Sequence, residues 1–308
     1  MRHRGGRRHR GGPRARPGGG VTAPGAGVAR FGPVPESIDP ADLAAWTVHA
    51  DADVVVFDKP GGVVCHPSKR GPCSSLVGAV RLATGRETLH LVSRLDRETS
   101  GIVIIARHAA AARAYQMAFQ RRQVAKVYLA VLEGTLGGEV TVDQPLARDR
   151  DGPVGIRMAV DPAAPDAKAA RTHFTPLATG GGYTLARVVP LTGRMHQIRA
   201  HAAWLGHPVA GDKIYGPDPR LYLDFIRDGW SAQLQAALPH HRHLLHAAAL
   251  TFDMPETDAA SAVARSFTAP VAADMVAFCR ERMGVGDVDA RGVPFPSVLA
   301  PSASRGAP

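Results

Sequence analysis

A carboxylate set between two guanidiniums is the first feature of this sequence that could do chemistry. In Ser93-Arg94-Leu95-Asp96-Arg97-Glu98-Thr99-Ser100-Gly101, Asp96 lies between Arg94 and Arg97. Neighbouring cations keep a carboxylate ionised, and one free of a permanent salt bridge is a nucleophile. The same spacing also describes an ordinary Arg–Asp–Arg surface network. A second concentration of polar groups, Thr192-Gly193-Arg194-Met195-His196-Gln197-Ile198-Arg199-Ala200-His201, falls on the first turns of a predicted helix. Exposed N–H groups there favour anions, and two Arg could grip a phosphate or a carboxylate. Metal binding does not fit. His196 and His201 are five apart, off the one-face spacing of a zinc helix, and His240, His241, His243 and His246 have no Cys or acid at zinc-like intervals. Gly180-Gly181-Gly182 has no following Lys-Ser/Thr, so ATP or NAD use is not supported.

Positioning these side chains requires elements that hold loops still. Residues 53–58, β-branched and aromatic, are stopped by Lys59-Pro60-Gly61-Gly62 and read as a strand followed by a turn. The Asp96 loop is entered from the apolar run 89–92 and left through a buried strand over 102–106. Residues 108–121 carry a helix pattern through Ala111, Ala114, Tyr115, Ala118 and Phe119, and 124–132 form a strand bearing Lys126 and Tyr128. A strand over 184–189 stops at Pro190. Met195, Ile198, Ala202 and Leu205 then follow the three-four spacing of a helix over 194–205, with Thr192 as its expected N-cap. Residues 246–252 suggest a strand and 271–283 a last helix. Several strand pairs lack a helix between them, so an α+β fold with a mixed sheet is expected.

The net charge of +10 has a location: residues 1–30 hold eight Arg, nine Gly and no acid, leaving 29 basic and 27 acidic residues elsewhere. A segment of that composition stays disordered and can hold polyanions without sequence preference, or simply solubilise its end of the chain. The expected organisation is a tail over 1–34, a catalytic domain over 45–284 and a C-terminal tail over 285–308. No apolar run is long enough to span a membrane, and MRHRGGRRHRGG lacks the apolar segment of a secretory signal. Three Cys, an odd number, fit ordinary thiols in a cytoplasmic protein.

Taken in order, the motifs resemble the RluA-type pseudouridine synthases. The stretch from Leu91 to Gly101 is similar to that family's signature Arg-Leu-Asp-x-x-Thr-Ser-Gly. Asp58-Lys59-Pro60-Gly61-Gly62 with His66-Pro67 precedes it. Lys126-Val127-Tyr128, the 192–201 stretch, Leu205-Gly206-His207-Pro208, Gly211-Asp212 with Tyr215-Gly216, and Leu245-His246-Ala247 follow. The resemblance covers roughly residues 48 to 280.

It implies a large mixed, mainly antiparallel sheet flanked by helices, with a central RNA-binding cleft. It also implies a reaction in which uridine in ribosomal or transfer RNA is detached from its ribose, turned and rejoined through carbon 5. By correspondence, Asp96 is the nucleophile, Tyr128 stacks on the base, Arg199 pairs with the aspartate, and Arg94 fills the gap left by the flipped nucleotide. Leu245 is the apolar pocket contact, although Leu244 is adjacent, and Arg194, His196 and Gln197 complete the substrate-binding set. No metal, ATP or other cofactor is implied, and a monomer without membrane association is expected. Ser93 stands where the family most often has His, and there is no room between Pro40 and Asp58 for the small accessory RNA-binding domain of some relatives. Two rival readings remain. One is a catalytically silent RNA-binding module of the same fold. The other is a glycoside hydrolase, which needs a second carboxylate about 5–10 Å from Asp96, with Glu98 the nearest candidate in sequence.

Overall fold

The computed structural model describes residues 38–66, 74–255 and 262–286; the Arg/Gly tail, Cys73 and nearly all of the expected C-terminal tail lie outside the described residues. In chain order the elements are α1 (Pro40–Trp46), β1 (Thr47–Ala50), β2 (Val54–Lys59), α2 (Leu76–Thr84), β3 (His90–Leu91), β4 (Ser100–Ala106), α3 (Ala109–Gln120) and β5 (Val124–Glu133). They continue with β6 (Val140–Asp143), β7 (Leu146–Arg148), β8 (Met158–Val160), β9 (Arg171–Gly180), β10 (Tyr183–Pro190) and α4 (Gln197–Trp204). The last are α5 (Arg220–Asp228), α6 (Ala232–Ala237), β11 (Leu245–Pro255), β12 (Ala262–Thr268) and α7 (Ala273–Met283).

Ten strands form one sheet whose path is β1-β2-β4-β11-β5-β10-β9-β6, with β12 on β11 and β3 on β4, while β7 and β8 make a separate ribbon. Every pairing described is antiparallel except β4–β11, where Ser100 lies opposite His246 and Gly101 opposite Ala247. The expected mixed, mainly antiparallel sheet is the observed one. β4, SGIVIIA, is buried at every position because helices cover both faces of the sheet there. Ile102 and Ile104 pack with Ala111, Ala112 and Tyr115 of α3, whereas Val103 and Ile105 pack with Leu76, Val77 and Val80 of α2. A continuous β-branched run is what a strand covered on both sides requires.

Gly101 makes the parallel seam possible. Its φ is +106°, and a Cβ there would collide with the Ala247 carbonyl of β11, so any L side chain would both strain the backbone and push the strands apart.

The helix expected over 194–205 starts later, at Gln197. The Gln197 Oε1 accepts from the Arg194 N–H (3.0 Å) and from the Thr192 hydroxyl (2.7 Å), which locks the preceding residues in a turn. Thr192 is therefore a donor inside that turn and not the cap. The N-cap is His196, a non-glycine residue at φ 53°, ψ 17°. That left-handed conformation costs on the order of 1–2 kcal/mol for an L residue, so the surroundings must hold it in place.

Candidate active site

The loop carrying Asp96 is pinned from both sides before any charge is considered. On the β2 side, the Gly62 N–H donates to the Arg97 carbonyl (2.8 Å), Arg97 Nε returns a bond to the Gly62 carbonyl (3.0 Å), and the buried Lys59 ammonium donates to the carbonyls of Pro60, Val63 and Arg97. On the β11 side, Thr99 Oγ1 bonds His243 Nε2 (2.8 Å), Ser100 Oγ bonds His246 Nδ1 (3.0 Å), and Arg242 Nη1 donates to the Glu98 carbonyl (3.0 Å). The Thr-Ser-Gly of the motif thus serves two hydroxyl anchors and one close backbone approach. Ser93 accepts from the Ile104 N–H at 3.4 Å, which ties the start of the loop to β4.

Neither of its chain neighbours is the guanidinium paired with Asp96. Arg94 is exposed, and Arg97 Nε is turned to Gly62. Arg199, from the first turn of α4, donates Nη1 to Asp96 Oδ2 at 2.9 Å. Its other edge is gripped by Asp212, with Nε to Oδ2 at 2.6 Å and Nη2 to Oδ1 at 2.8 Å. Asp212 Oδ1 also accepts the N–H groups of Ile214 (2.9 Å) and Tyr215 (3.1 Å). The guanidinium is fixed on a fully buried carboxylate and presents its remaining edge to Asp96, a geometry an ammonium could not reproduce. Burial, the largest single influence, pushes the Asp96 carboxyl up, but Arg199 together with His196 and His243 outweighs it and holds the group below the ordinary value. Burial acts the same way on Asp212, and Arg199 again wins, bringing it to about 2.

His196 completes the ring around the carboxylate. Tyr215 accepts the Met158 N–H at 2.8 Å, so its own proton is free for His196 Nδ1 at 3.1 Å. The imidazole proton then sits on Nε2, 3.7 Å from Asp96 Oδ2. Burial, reinforced by Arg199, lowers the His196 pKa to about 4. Heteronuclear NMR of the ring should accordingly show the neutral Nε2–H tautomer from pH 8 down to about pH 5. A titration near the ordinary 6.5 would mean that water reaches the ring and that it is not held as described.

Asp96, Arg94, His196 and Arg199 line one cavity of about 430 Å³, within the range of ligand sites. Tyr128 and Leu245 are outside its lining and pack together in the cluster that includes Ile198 and Val188. Leu244 faces the opposite cluster with Leu129 and Val131, as the two-residue period of a strand demands, so the strand places Leu245 and not Leu244 beside Tyr128. Burial, and then the charge of Asp96, push the Tyr128 hydroxyl up to about 12. Gln197 is buried and spends both ends of its amide on Thr192, Arg194, Arg171 and Thr172. It braces the turn before α4 and has no group left for a substrate. Arg194 is exposed, with Nε on the Ala169 carbonyl at 3.0 Å.

The sequence reading missed Asp212 and Tyr215 as parts of the site, although it noted the Gly-Asp and Tyr-Gly pairs. Their task becomes visible only when the 212–215 turn meets α4. It also missed an acid near the histidine group. Asp274 of α7 comes within reach of His240 and His241, their ligand atoms lying within 4.8 Å of one another, but Arg242 already occupies both Asp274 oxygens at 2.5 and 2.7 Å. His201 is spent on Thr172 and the Gln144 carbonyl. Cys65 and Cys279 are buried and unpaired.

The family model described as RNA pseudouridylate synthase matches residues 53–204. An uncharacterized RNA pseudouridine synthase of Chloroflexus aurantiacus is 39% identical over 231 residues, covering 73% of this chain and 65% of that protein. Ribosomal large subunit pseudouridine synthase D of Escherichia coli O6:H1 is 30% identical over 250 residues, 77% of this chain and 70% of that one. The structure of human RNA pseudouridylate synthase domain containing 1 superposes with a TM-score of 0.58 at 25% identity, over 75% of this chain and 86% of that one. The chain spans between 60 and 65% of the length of the first curated relatives it matches. No helix among the described residues is long and apolar enough to cross a membrane. With a family model over residues 53–204 and relatives over most of its length, this chain belongs to the RluA-type RNA pseudouridine synthase family.

Proposed function

We propose that the protein isomerises uridine in RNA to pseudouridine, with Asp96 as the nucleophile on the target nucleotide. The observation that carries this reading is the Asp96–Arg199–Asp212 chain at the cavity: an ionised carboxylate, a third exposed, held by a guanidinium that is itself immobilised. A base within an RNA stack has to be extruded to reach such a carboxylate, which favours unpaired or loop uridines. Arg94, exposed at the cavity, fits the task of filling the vacated space. The name of the E. coli relative favours ribosomal RNA as the substrate class, with transfer RNA as the alternative.

Both rivals fit less well. A glycoside hydrolase needs a proton-donating carboxyl, yet Glu98 is bound by Lys213 at 2.7 Å and by the His243 N–H at 3.2 Å, and these partners hold it far below the ordinary range in spite of its burial. Asp212 is saturated by Arg199. A silent binding module would gain nothing from bringing a carboxylate to a polyanion, and less from burying a second one to support it. Pseudouridine mapping of total RNA with and without the protein tests the reading and gives RNA class and position together; no protein-dependent pseudouridine would overturn it.

By its correspondence to the family's active-site tyrosine, Tyr128 is assigned the removal of the carbon 5 proton once the base has been rejoined. Tyr128→Phe should break the glycosidic bond but release tritium from 5-labelled uridine at least roughly 100-fold more slowly than wild type, the scale of a general base. Release at the wild-type rate would reduce Tyr128 to a stacking surface.

A further inference from the structure

The fold has committed most of the polar side chains lining the cavity to partners of their own. Asp96 and Arg199 face each other, Glu98 is held by Lys213, His196 by Tyr215, and the Cys65 thiol by the Leu95 carbonyl. Tyr222 differs. It is half-buried, it lines the same cavity as Asp96, and its hydroxyl has no hydrogen-bond partner among the described residues. A phenol half out of water with an unused donor is poised for something that arrives from outside.

Its placement is rigid. Leu221 anchors α5 in a cluster with Leu234 and Leu238. Tyr222, Phe225 and Ile226, spaced three and four apart, turn one stripe of the helix to the cavity. Lys213 bolts that helix to the catalytic loop: its ammonium is 4.5 Å from the Phe225 ring centroid, 5.4 Å from that of Trp230, and 2.7 Å from Glu98 Oε1. Apolar side chains, among them Leu95, Ile156 and Ile214, line the same cavity, and Arg199, Glu98 and Arg97 are the charged groups that act on Tyr222.

The reaction set out under Proposed function, on which this inference rests, makes a particular demand. When the bond between the ribose C1′ and N1 breaks, its electron pair leaves with the uracil. The base then has to turn so that C5 faces C1′, held by no covalent bond. Apolar walls let a flat base turn, but they do not keep it. A hydroxyl, free to rotate about its C–O bond, can follow a carbonyl oxygen through the turn. We infer that Tyr222 retains the detached uracil, its hydroxyl donating to a carbonyl oxygen of the base between cleavage at N1 and bond formation at C5. Where retention fails, water takes the place of the base at C1′ and supplies the proton to N1. The products are then free uracil and an abasic ribose, and Asp96 is regenerated.

The test is a single-turnover assay of wild type and Tyr222→Phe on RNA labelled in the uracil ring, separating pseudouridine from free uracil. The phenylalanine variant should form pseudouridine more slowly, on the order of fivefold for one neutral hydrogen bond, and release free uracil at several times the wild-type level. Its Tm should equal that of wild type, because the hydroxyl has no partner among the described residues to lose. Wild-type turnover without uracil release would overturn the inference. So would slowed turnover without free uracil, whatever the Tm, since that describes a group that positions or packs but does not retain. Absence of pseudouridine from the wild-type reaction would instead remove the functional reading and this inference together.

Discussion

Asp96→Asn should give a protein that folds, binds RNA and makes no pseudouridine. The amide keeps the size of the side chain and one oxygen to accept the Arg199 Nη1 bond, so the guanidinium keeps a partner on both edges. What is lost is the negative charge that can attack or stabilise a sugar carbon. Activity should fall by about four orders of magnitude or to background, as when other enzyme nucleophiles are removed. Because the carboxylate is a third exposed, the Tm should move by only about 2 °C. The measurements are a single-turnover assay, a filter-binding curve and a thermal melt on one preparation. Retained turnover would take Asp96 out of the nucleophile's role.

Asp212→Asn should have the opposite signature, with stability failing first. Arg199 is buried, with its side chain 5% exposed, and Asp212 is completely enclosed. Removing one partner of such a pair leaves a buried charge without compensation, at a cost of about 3–5 kcal/mol, or on the order of 10 °C in Tm for a chain of this size. Activity should fall as well, because Arg199 loses the bidentate hold that aims it at Asp96. Acid should reveal the same coupling in the wild type. Asp212 titrates at about 2 in the fold against 3.8 when free. Its contribution is therefore complete above about pH 4 and is lost as pH falls towards 2. That segment of the stability curve should flatten in Asp212→Asn. The double variant Arg199→Met with Asp212→Leu separates fold from function: an apolar pair of similar volume should recover part of the Tm, less what the Ile214 and Tyr215 N–H groups lose with their acceptor, but leave the enzyme inactive. An unchanged Tm in Asp212→Asn would show that Arg199 is balanced by some other group.

The difference between these two aspartates explains what the sequence could disclose. Local pattern was enough for β2, β4, β5, β10 and β11 and for α3 and α7, whose apolar periods are set by one covered face or two. It was not enough for the start of α4, where a side chain five residues past an apparent cap satisfies the turn and moves the helix boundary to Gln197. Nor did it disclose α5, because Leu221, Tyr222, Phe225 and Ile226 follow directly on the turn-rich residues 215–219. Asp96 could be picked out by its motif, but the reason it stays ionised could not. Its cation comes from a residue 103 positions away, and that residue depends on a carboxylate 13 further on.

The order of strands also sets a timetable for building the molecule. β11 alone hydrogen-bonds both to β4, which ends the catalytic loop, and to β5, the first strand of the half that carries Arg199 and Asp212. At usual rates of synthesis, roughly 6–25 s separate the completion of β5 from that of β11. Through that interval two sheet halves exist with unpaired, apolar inner edges, the kind of surface on which nascent chains mispair. Asp96 is thus made early and joined to its guanidinium late, and a nascent chain stopped before Leu245 carries the whole of the signature motif without the strand that closes the sheet around it.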